Sequence, residues 1–374
     1  MTATRPPAVL VLNRGSSTIK RALFTFEKEP QPIERVSVEA DPSGDLTGLL
    51  DWIDSARRER LLVGIGHRVV HGGRTYDRPH VITDQLREAL GRLVSFAPNH
   101  LPDELALIDA TRRRCPDVAQ VACFDTAFHR HLPDVARRLP IPARFDADGV
   151  HAYGFHGLSY TFLIGELERT AGADVARANV VLAHLGSGSS LAAVRDRRSV
   201  DTTMTFTPTG GVVMSTRAGD LDPGLVTYLA RQHLMTTDDV ERMLTRESGL
   251  LGVSGTTGDM RLLLEREHAD PPARLAVDLY CYRIRKTIGA FAAALGGLDT
   301  LIFSGGIGEH ASAVRARICD GLGFLGVEID AARNASHAAV ISTDHARVVV
   351  RMIPTDEELV IARAAYRLLA PGQP

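Results

Sequence analysis

Six side chains in this sequence have the types and spacing to do chemistry together: Asn13, Arg68, Asp125, His156, Arg217 and Glu357. Guanidinium forks bind carboxylate and phosphate oxygens. His156 adds a further donor and Asp125 a carboxylate. Asn13 and Glu357 are hard oxygen donors suited to Mg2+, which takes few protein groups and relies on substrate phosphates and water. Three glycine-rich turns accompany them: Gly15-Ser16-Ser17-Thr18 with Lys20 just beyond, His184-Leu185-Gly186-Ser187-Gly188, and Gly305-Gly306-Ile307-Gly308. Such turns aim successive backbone N–H groups at an anion. The inventory fits phosphoryl transfer, which rests on positioning and charge neutralisation more than on a covalent nucleophile.

Each feature also has a plainer reading. Arg68 could pair with a structural carboxylate, and Asp125 could cap a helix. Asp356 and Glu357 could simply favour a helix dipole. Gly15–Thr18 could be an ordinary polar β-turn. Other chemistries fit worse. His67 and His71 are four apart, but on a strand rather than a helix, so they do not make a zinc pair. Gly186-Ser187-Gly188 lies between two strands, which is not the strand-to-helix setting of a nucleophile elbow. The turn at Gly305 is neither a Walker A sequence nor G-x-G-x-x-G.

Strands and turns must hold these groups. Residues 9–20 read as a buried apolar strand, a polar hairpin and a second strand, and residues 180–194 repeat that pattern. The repeat implies an internal duplication. Residues 61–73 read as a strand on which Arg68 and Val70 share one face and His67, Val69 and His71 the other. Residues 118–124 form a strand that delivers Asp125 past its carboxyl end, where α/β proteins place their chemistry. Helices are predicted over 46–60, 84–96 and 103–114, an edge strand within 27–45, and a helix from about 157 to 171. A strand is expected near 198–202. The long polar loop 203–223, which carries Pro208 and Arg217, reads as functional. Leu275, Leu279, Tyr282, Ile284, Ile288, Phe291 and Leu295 follow helical steps and predict a buried helix face. A strand at 300–303 opens into the Gly305 turn with a helix from about Ala311. A strand at 347–352 leads into a last helix carrying Glu357.

A chain of 374 residues divides best into two domains, here 1–150 with 356–374, and 151–355. The net charge of −2 argues against a large basic surface for nucleic acid. Arg112-Arg113-Arg114 reads as a solvated helix end. Cys115, Cys123, Cys281 and Cys319 are scattered without metal spacing, which fits a reduced, cytoplasmic setting. The N-terminus lacks the apolar core of a signal peptide, and no uninterrupted apolar stretch is long enough to span a bilayer.

Taken in order, Leu12-Asn13, Gly15-Ser16-Ser17, Lys20, His67-Arg68-Val69-Val70-His71-Gly72-Gly73, Phe124-Asp125-Thr126-Ala127-Phe128-His129, Tyr153-Gly154-Phe155-His156-Gly157, His184-Leu185-Gly186, Gly306-Ile307-Gly308-Glu309 and Pro354-Thr355 with Glu357-Glu358-Leu359 resemble the acetokinase family over nearly the whole chain. The resemblance implies an α/β fold of two duplicated actin-like (ribonuclease H-like) domains with a cleft between them. It also implies reversible transfer from ATP to acetate, giving acetyl phosphate and ADP, with Mg2+ or Mn2+ in its place, in a homodimer. By motif, Arg68 and Arg217 hold the acyl carboxylate and the transferring phosphoryl, His156 donates to that phosphoryl, and Asp125 is a catalytic carboxylate. Asn13 and Glu357 serve the metal. Val70, Asn99, Phe155 and Pro208 line the acyl pocket. Ser16, Thr18 and Lys20, His184, Leu185, Gly186, Ser187 and Gly188, Asp259, Met260 and Arg261, and Gly306, Ile307, Gly308, Glu309 and His310 serve the nucleotide.

Departures from the family pattern fall at Asn99, where Leu is usual, at Ser187 and His310, where Asn is usual, and at Gly210, where Glu is usual. Asn99 implies a wetter acyl pocket, so propionate or another short-chain acid stands as the alternative acceptor. A low-turnover ATP-binding protein of the actin/Hsp70 type is the reading from a different class.

Overall fold

A computed structural model describes residues 5–15, 18–39, 41 and 44–370. Its backbone contacts separate two compact units, Met1–Arg130 with Asp356–Pro374, and His131–Thr355. Residues 131–150, expected in the first domain, belong to the second unit; Ala152 N donates to Arg137 O there. No described helix is long and apolar enough to cross a membrane.

In the first unit, β1 (Pro7–Arg14), β2 (Thr18–Thr25) and β3 (Pro32–Glu39) form an antiparallel meander. β4 (Leu61–Val69) then pairs parallel to β1, the two-residue β5 (His80–Val81) lies at the edge, and β6 (Ala119–Phe124) pairs parallel to β4. The strand order is β3-β2-β1-β4-β6-β5. Leu10, Leu12, Leu23 and Ile65 pack on one face with Leu49 and Ile53 of the helix Thr47–Glu59. The helix Glu357–Leu369 takes β1 and β4 as its floor. It can approach closely because β4 carries Gly64 and Gly66, where an added methyl group would collide with Leu369 and Ile361.

The second unit repeats the plan. β7 (Val180–Leu185), β8 (Ser189–Arg195) and β9 (Arg198–Thr202) form the meander, and β10 (Thr300–Ser304) and β11 (Val349–Met352) add parallel strands. The order β9-β8-β7-β10-β11 matches β3-β2-β1-β4-β6 strand for strand, so the duplication read from the two hairpins is present in the topology.

Two expectations change. The buried face of the helix Pro271–Leu295 runs through Ala273, Ala276, Val277, Tyr280, Cys281, Ile284, Ile288, Phe291 and Leu295. Leu275 and Tyr282 are 58% and 56% exposed. The alanines and the cysteine belong to the packed core, Cys281 against Val314 of the helix Ser312–Cys319, and so set the phase. The helix expected from about Ala311 is present as Ser312–Cys319, but the glycine turn before it, Gly305–His310, is itself a short helix.

Candidate functional site

In the first unit the described end of β1 is the hub. Asn13 is buried and its Nδ2 donates to Glu357 Oε2 at 2.9 Å and Glu358 Oε1 at 2.8 Å, so the first turn of the last helix is tied to the first strand. Both Nδ2 hydrogens are thereby committed, which directs the hard Oδ1 acceptor away from that contact. Lys20, opposite Asn13 on β2, brings Nζ to 4.0 Å from Glu358. Gly15 N donates to Thr18 O and closes the turn. Ser16, expected at the phosphate, lies outside the described residues.

Arg68 near the end of β4 reaches two strands. Its Nε and Nη2 donate to Asp125 Oδ2 at 3.0 and 2.5 Å, and Nη1 donates to Arg14 O at 3.0 Å. Asp125 is fully buried in the first turn after β6. Arg68 thus does pair with a carboxylate, and Asp125 does not cap a helix. Burial alone would pull the guanidinium down; the Asp125 carboxylate more than reverses that, with Glu357 and Glu104 adding to it. On Asp125, burial pushes the carboxyl up, Arg68 opposes, and Glu357 adds to the push. Arg14 in turn pairs with Asp103 at 2.9 Å.

Glu104 belongs to this cluster and was hidden in the sequence, where Pro102-Asp103-Glu104 reads as helix-start acids. It is 2% exposed, and Oε2 accepts from Val70 N at 2.9 Å. Burial pushes its carboxyl up to about 8 against the pull of Arg68 and the Val70 N–H. His67 on the other face of β4 is held down to about 4 by burial, with Gln120 opposing. Val70 is buried beyond the strand, and Asn99 is half-buried ahead of the helix Leu101–Arg114.

The second unit surrounds its hairpin with imidazoles and hydroxyls, with the Arg217 guanidinium beside them. His156 sits in the left-handed region at φ 56°, where it heads the helix Gly157–Ala171. A non-glycine residue held there is uncommon and marks an over-determined position. A hydrogen bond of 2.8 Å joins its Nδ1 to Ser190 Oγ, which also meets Tyr160 Oη at 2.5 Å. Its ring stacks on His184 at 4.3 Å, and His184 Nδ1 is hydrogen-bonded to Ser159 Oγ at 2.8 Å. Ser189 Oγ meets Tyr280 Oη at 2.9 Å. Arg217 Nη1 donates to Pro208 O at 2.9 Å. A methyl group on Gly188 would stand 3.4 Å from His156 Nε2 and 3.5 Å from Arg217 Nη1. The hairpin tip, His156 and Arg217 therefore converge. Ser187, beside that tip, accepts from Ser215 N through its carbonyl, and Phe155 is buried.

The third turn is braced from behind. Glu309 turns its carboxylate back to accept from Gly305 N at 2.9 Å and Thr355 N at 3.3 Å. Fully buried Arg315 donates to Gly308 O and Glu309 O, both at 2.8 Å, and to Asn334. Its hydrogen bonds run to neutral oxygens and to His337. Gly306 and Ile307 lie within this turn, and His310 ends it 6.5 Å from the His337 ring. Asp259 caps the helix Met260–Arg266, accepting from Arg261 N, with Met260 buried and the Arg261 side chain exposed. Ser190, Tyr160 and Arg315 carried no signal in sequence beyond their places in a strand and two helices.

The Acetokinase family model matches residues 31–363. The acetate kinase of Rhodopseudomonas palustris strain TIE-1 is 43% identical over 98% of this chain and 99% of its own length. The propionate kinase of Citrobacter rodentium is 41% identical over 96% of each. The crystal structure of the Porphyromonas gingivalis acetate kinase superposes with a TM-score of 0.85 at 31% identity, covering 95% of this chain and 98% of the other. With the repeated sheet and the two clusters above, the chain belongs to the acetokinase family and is a phosphotransferase whose acceptor is a carboxyl group.

Proposed function

We propose that the acceptor is acetate and the donor ATP, with Mg2+, in the reversible formation of acetyl phosphate and ADP. One acetate oxygen attacks the γ-phosphorus in line, the bond to the ADP oxygen breaks, and no proton need move. The observation that carries this reading is Arg68, fixed by Asp125 and by Arg14 O beside buried Val70: a rigid cation next to a small apolar group suits a short carboxylate.

Arg68 orients the acceptor carboxylate, and Asp125 keeps Arg68 in place. Val70, Asn99, Phe155 and Pro208 form the acyl pocket. Arg217 and His156 donate to the oxygens of the transferring phosphoryl, where each preorganised donor contributes about 3 kcal/mol. His184, Leu185, Gly186, Ser187 and Gly188, Gly306, Ile307, Gly308, Glu309 and His310, and Asp259, Met260 and Arg261 hold the nucleotide, with Ser16, Thr18 and Lys20 on its phosphates. Glu309 does so through the turn it braces. Asn13 and Glu357 would hold the Mg2+; their hard oxygens fit it, and among the described residues no cluster of three His, Cys, Asp or Glu offers a denser set. A bound Mg2+ supplies neutralisation of phosphate charge.

Two further readings go with this one. The four cysteines are free and buried, in keeping with the cytoplasm. The helix Pro223–Gln232 has no buried residue, and Leu225 and Tyr228 are exposed on it, which supports a homodimer. Sedimentation that gives a monomer at all concentrations would remove the second.

Propionate is the second acceptor reading, favoured by polar Asn99 and by the Citrobacter relative. A coupled ADP-release assay with acetate, propionate and butyrate decides. Acetate ranking first is expected, and acetate far below another acid would overturn it. Nucleotide binding without hydroxamate-trapped acetyl phosphate would favour the low-turnover binder.

A further inference from the structure

Among the described Asp, Glu, Lys and Arg side chains of the first unit, Glu104 is the most deeply buried one without an assigned role. It projects from the helix Leu101–Arg114 and is almost wholly buried. One oxygen accepts from the backbone N–H of Val70, two residues beyond Arg68. The other, Oε1, is buried and has no hydrogen-bond partner among the described residues. A carboxylate left half-satisfied out of water is costly. A helix-start acid has no need of such a position.

We propose that Glu104 is a positioning residue of the acceptor site, pinning the Val70 backbone and sharing the field of Arg68 with the incoming carboxylate, so that it sets the affinity for the acceptor. This rests on the assignment of Arg68 and Val70 to the acceptor.

The charges around Glu104 make the effect directional. Arg68 faces it from β4, Arg14 from β1 and Asp125 from the turn after β6. On its own helix Asp103 is taken up by Arg14. His67 on β4 stays neutral because burial holds it near 4. His71, just past β4, accepts from Gly73 N and packs on the Phe96 ring. Glu357 acts on Arg68 and Asp125 rather than foremost on Glu104. With Asp125 already balancing Arg68, an ionised Glu104 is a surplus negative charge beside the one cation the acceptor needs. Burial keeps its proton on to about 8. Near neutrality Glu104 is therefore a neutral carboxyl, and Arg68 offers its field to the acceptor. Above that range the two anions compete, and acceptor binding and proton binding to Glu104 favour one another by linkage.

The test is the KM for acetate and for ATP between pH 6 and 9.5, in the full-length protein and in Glu104→Gln, with thermal melting to verify folding. The acetate KM is expected to be flat to pH 7.5 and to rise about tenfold over the next one to two units, with the ATP KM unmoved. Glu104→Gln keeps an acceptor for Val70 N and cannot ionise, so its acetate KM should stay flat throughout. A merely structural Glu104 would leave the two profiles parallel. A flat profile in the unsubstituted protein, or a rise that survives in Glu104→Gln, overturns the proposal. If Glu104→Gln does not fold, the unsubstituted profile decides alone: acetate-selective rise supports it, and no rise, or equal movement of both KM values, refutes it. Absence of turnover with every short acid would instead remove the acceptor assignment, and this inference with it.

Discussion

The hairpins β1–β2 and β7–β8 occupy the same place in two sheets of the same strand order, yet they are built around opposite kinds of polarity. Around the first stand Arg14, Lys20, Arg68, Asp125, Glu357 and Glu358, a network of formal charges. Around the second stand His156, His184, Ser159, Ser189, Ser190, Tyr160 and Tyr280, joined by hydroxyl–imidazole and hydroxyl–hydroxyl bonds, with Arg217 bonded to a carbonyl. One topology has been filled twice, once with groups that balance charge and once with groups that shape donors. Division of labour after duplication thus lies in the residues at the strand ends, not in the strands.

The contrast is sharpest when charge is removed. Asp125→Ala should abolish turnover and destabilise the fold by about 3–5 kcal/mol, since it strips a largely sequestered Arg68 of its ion-pair partner. Arg217→Leu should lose turnover by about two orders of magnitude or more while its melting temperature stays close to that of the parent, because its side chain is half-exposed. Equal losses of stability in both variants would break the comparison. Next in size is Ser190→Ala. It removes the hydroxyl shared by His156 and Tyr160, so a cost of about 1–3 kcal/mol is expected in urea unfolding, together with slower turnover; an unchanged rate would mean that His156 needs no such support.

Two smaller effects concern pH and the second hairpin. His67 has its proton affinity lowered by folding, so the unfolded chain binds more protons between pH 6.5 and about 4. Stability should fall as pH drops through that window, and His67→Gln should lessen the fall; a parallel decline in both proteins would place its cause elsewhere. Glu104 acts with the opposite sign. Folding raises its proton affinity, so its contribution falls as pH rises from about 4.5 to about 8. Ser187→Asn should move the ATP KM only about two- to tenfold, the worth of one hydrogen bond, and leave the acetate KM alone; the reverse pattern would reassign that hairpin tip.

Much of the frame was legible beforehand. Apolar runs closed by Gly and Ser turns identified both hairpins, and their repetition identified the duplication. The residue types of Asn13, Glu357, Arg68 and Asp125 point to a site, but not to the bonded pairs, since residues 344 and 57 positions apart meet only in the fold. What escaped is what depends on depth. Glu104 has the letters of a helix start and the surroundings of a core residue. Glu309 looks like a ligand and spends its carboxylate on Gly305 and Thr355. The phase of the helix Pro271–Leu295 follows Ala276 and Cys281, which touch the core, rather than the larger Leu275 and Tyr282, which do not.

The return of the helix Glu357–Leu369 to the first sheet bears on how the chain is made. A ribosome releases β1 early, but the carboxylates that hold Asn13 emerge more than three hundred residues later. All of His131–Thr355 can fold before the first unit has its last helix, and until then the glycine-lined face of β4 awaits its cover. Maturation therefore runs against the direction of synthesis. The second unit should acquire protease resistance on nascent chains first, while the acceptor residues settle only once the helix Glu357–Leu369 has emerged.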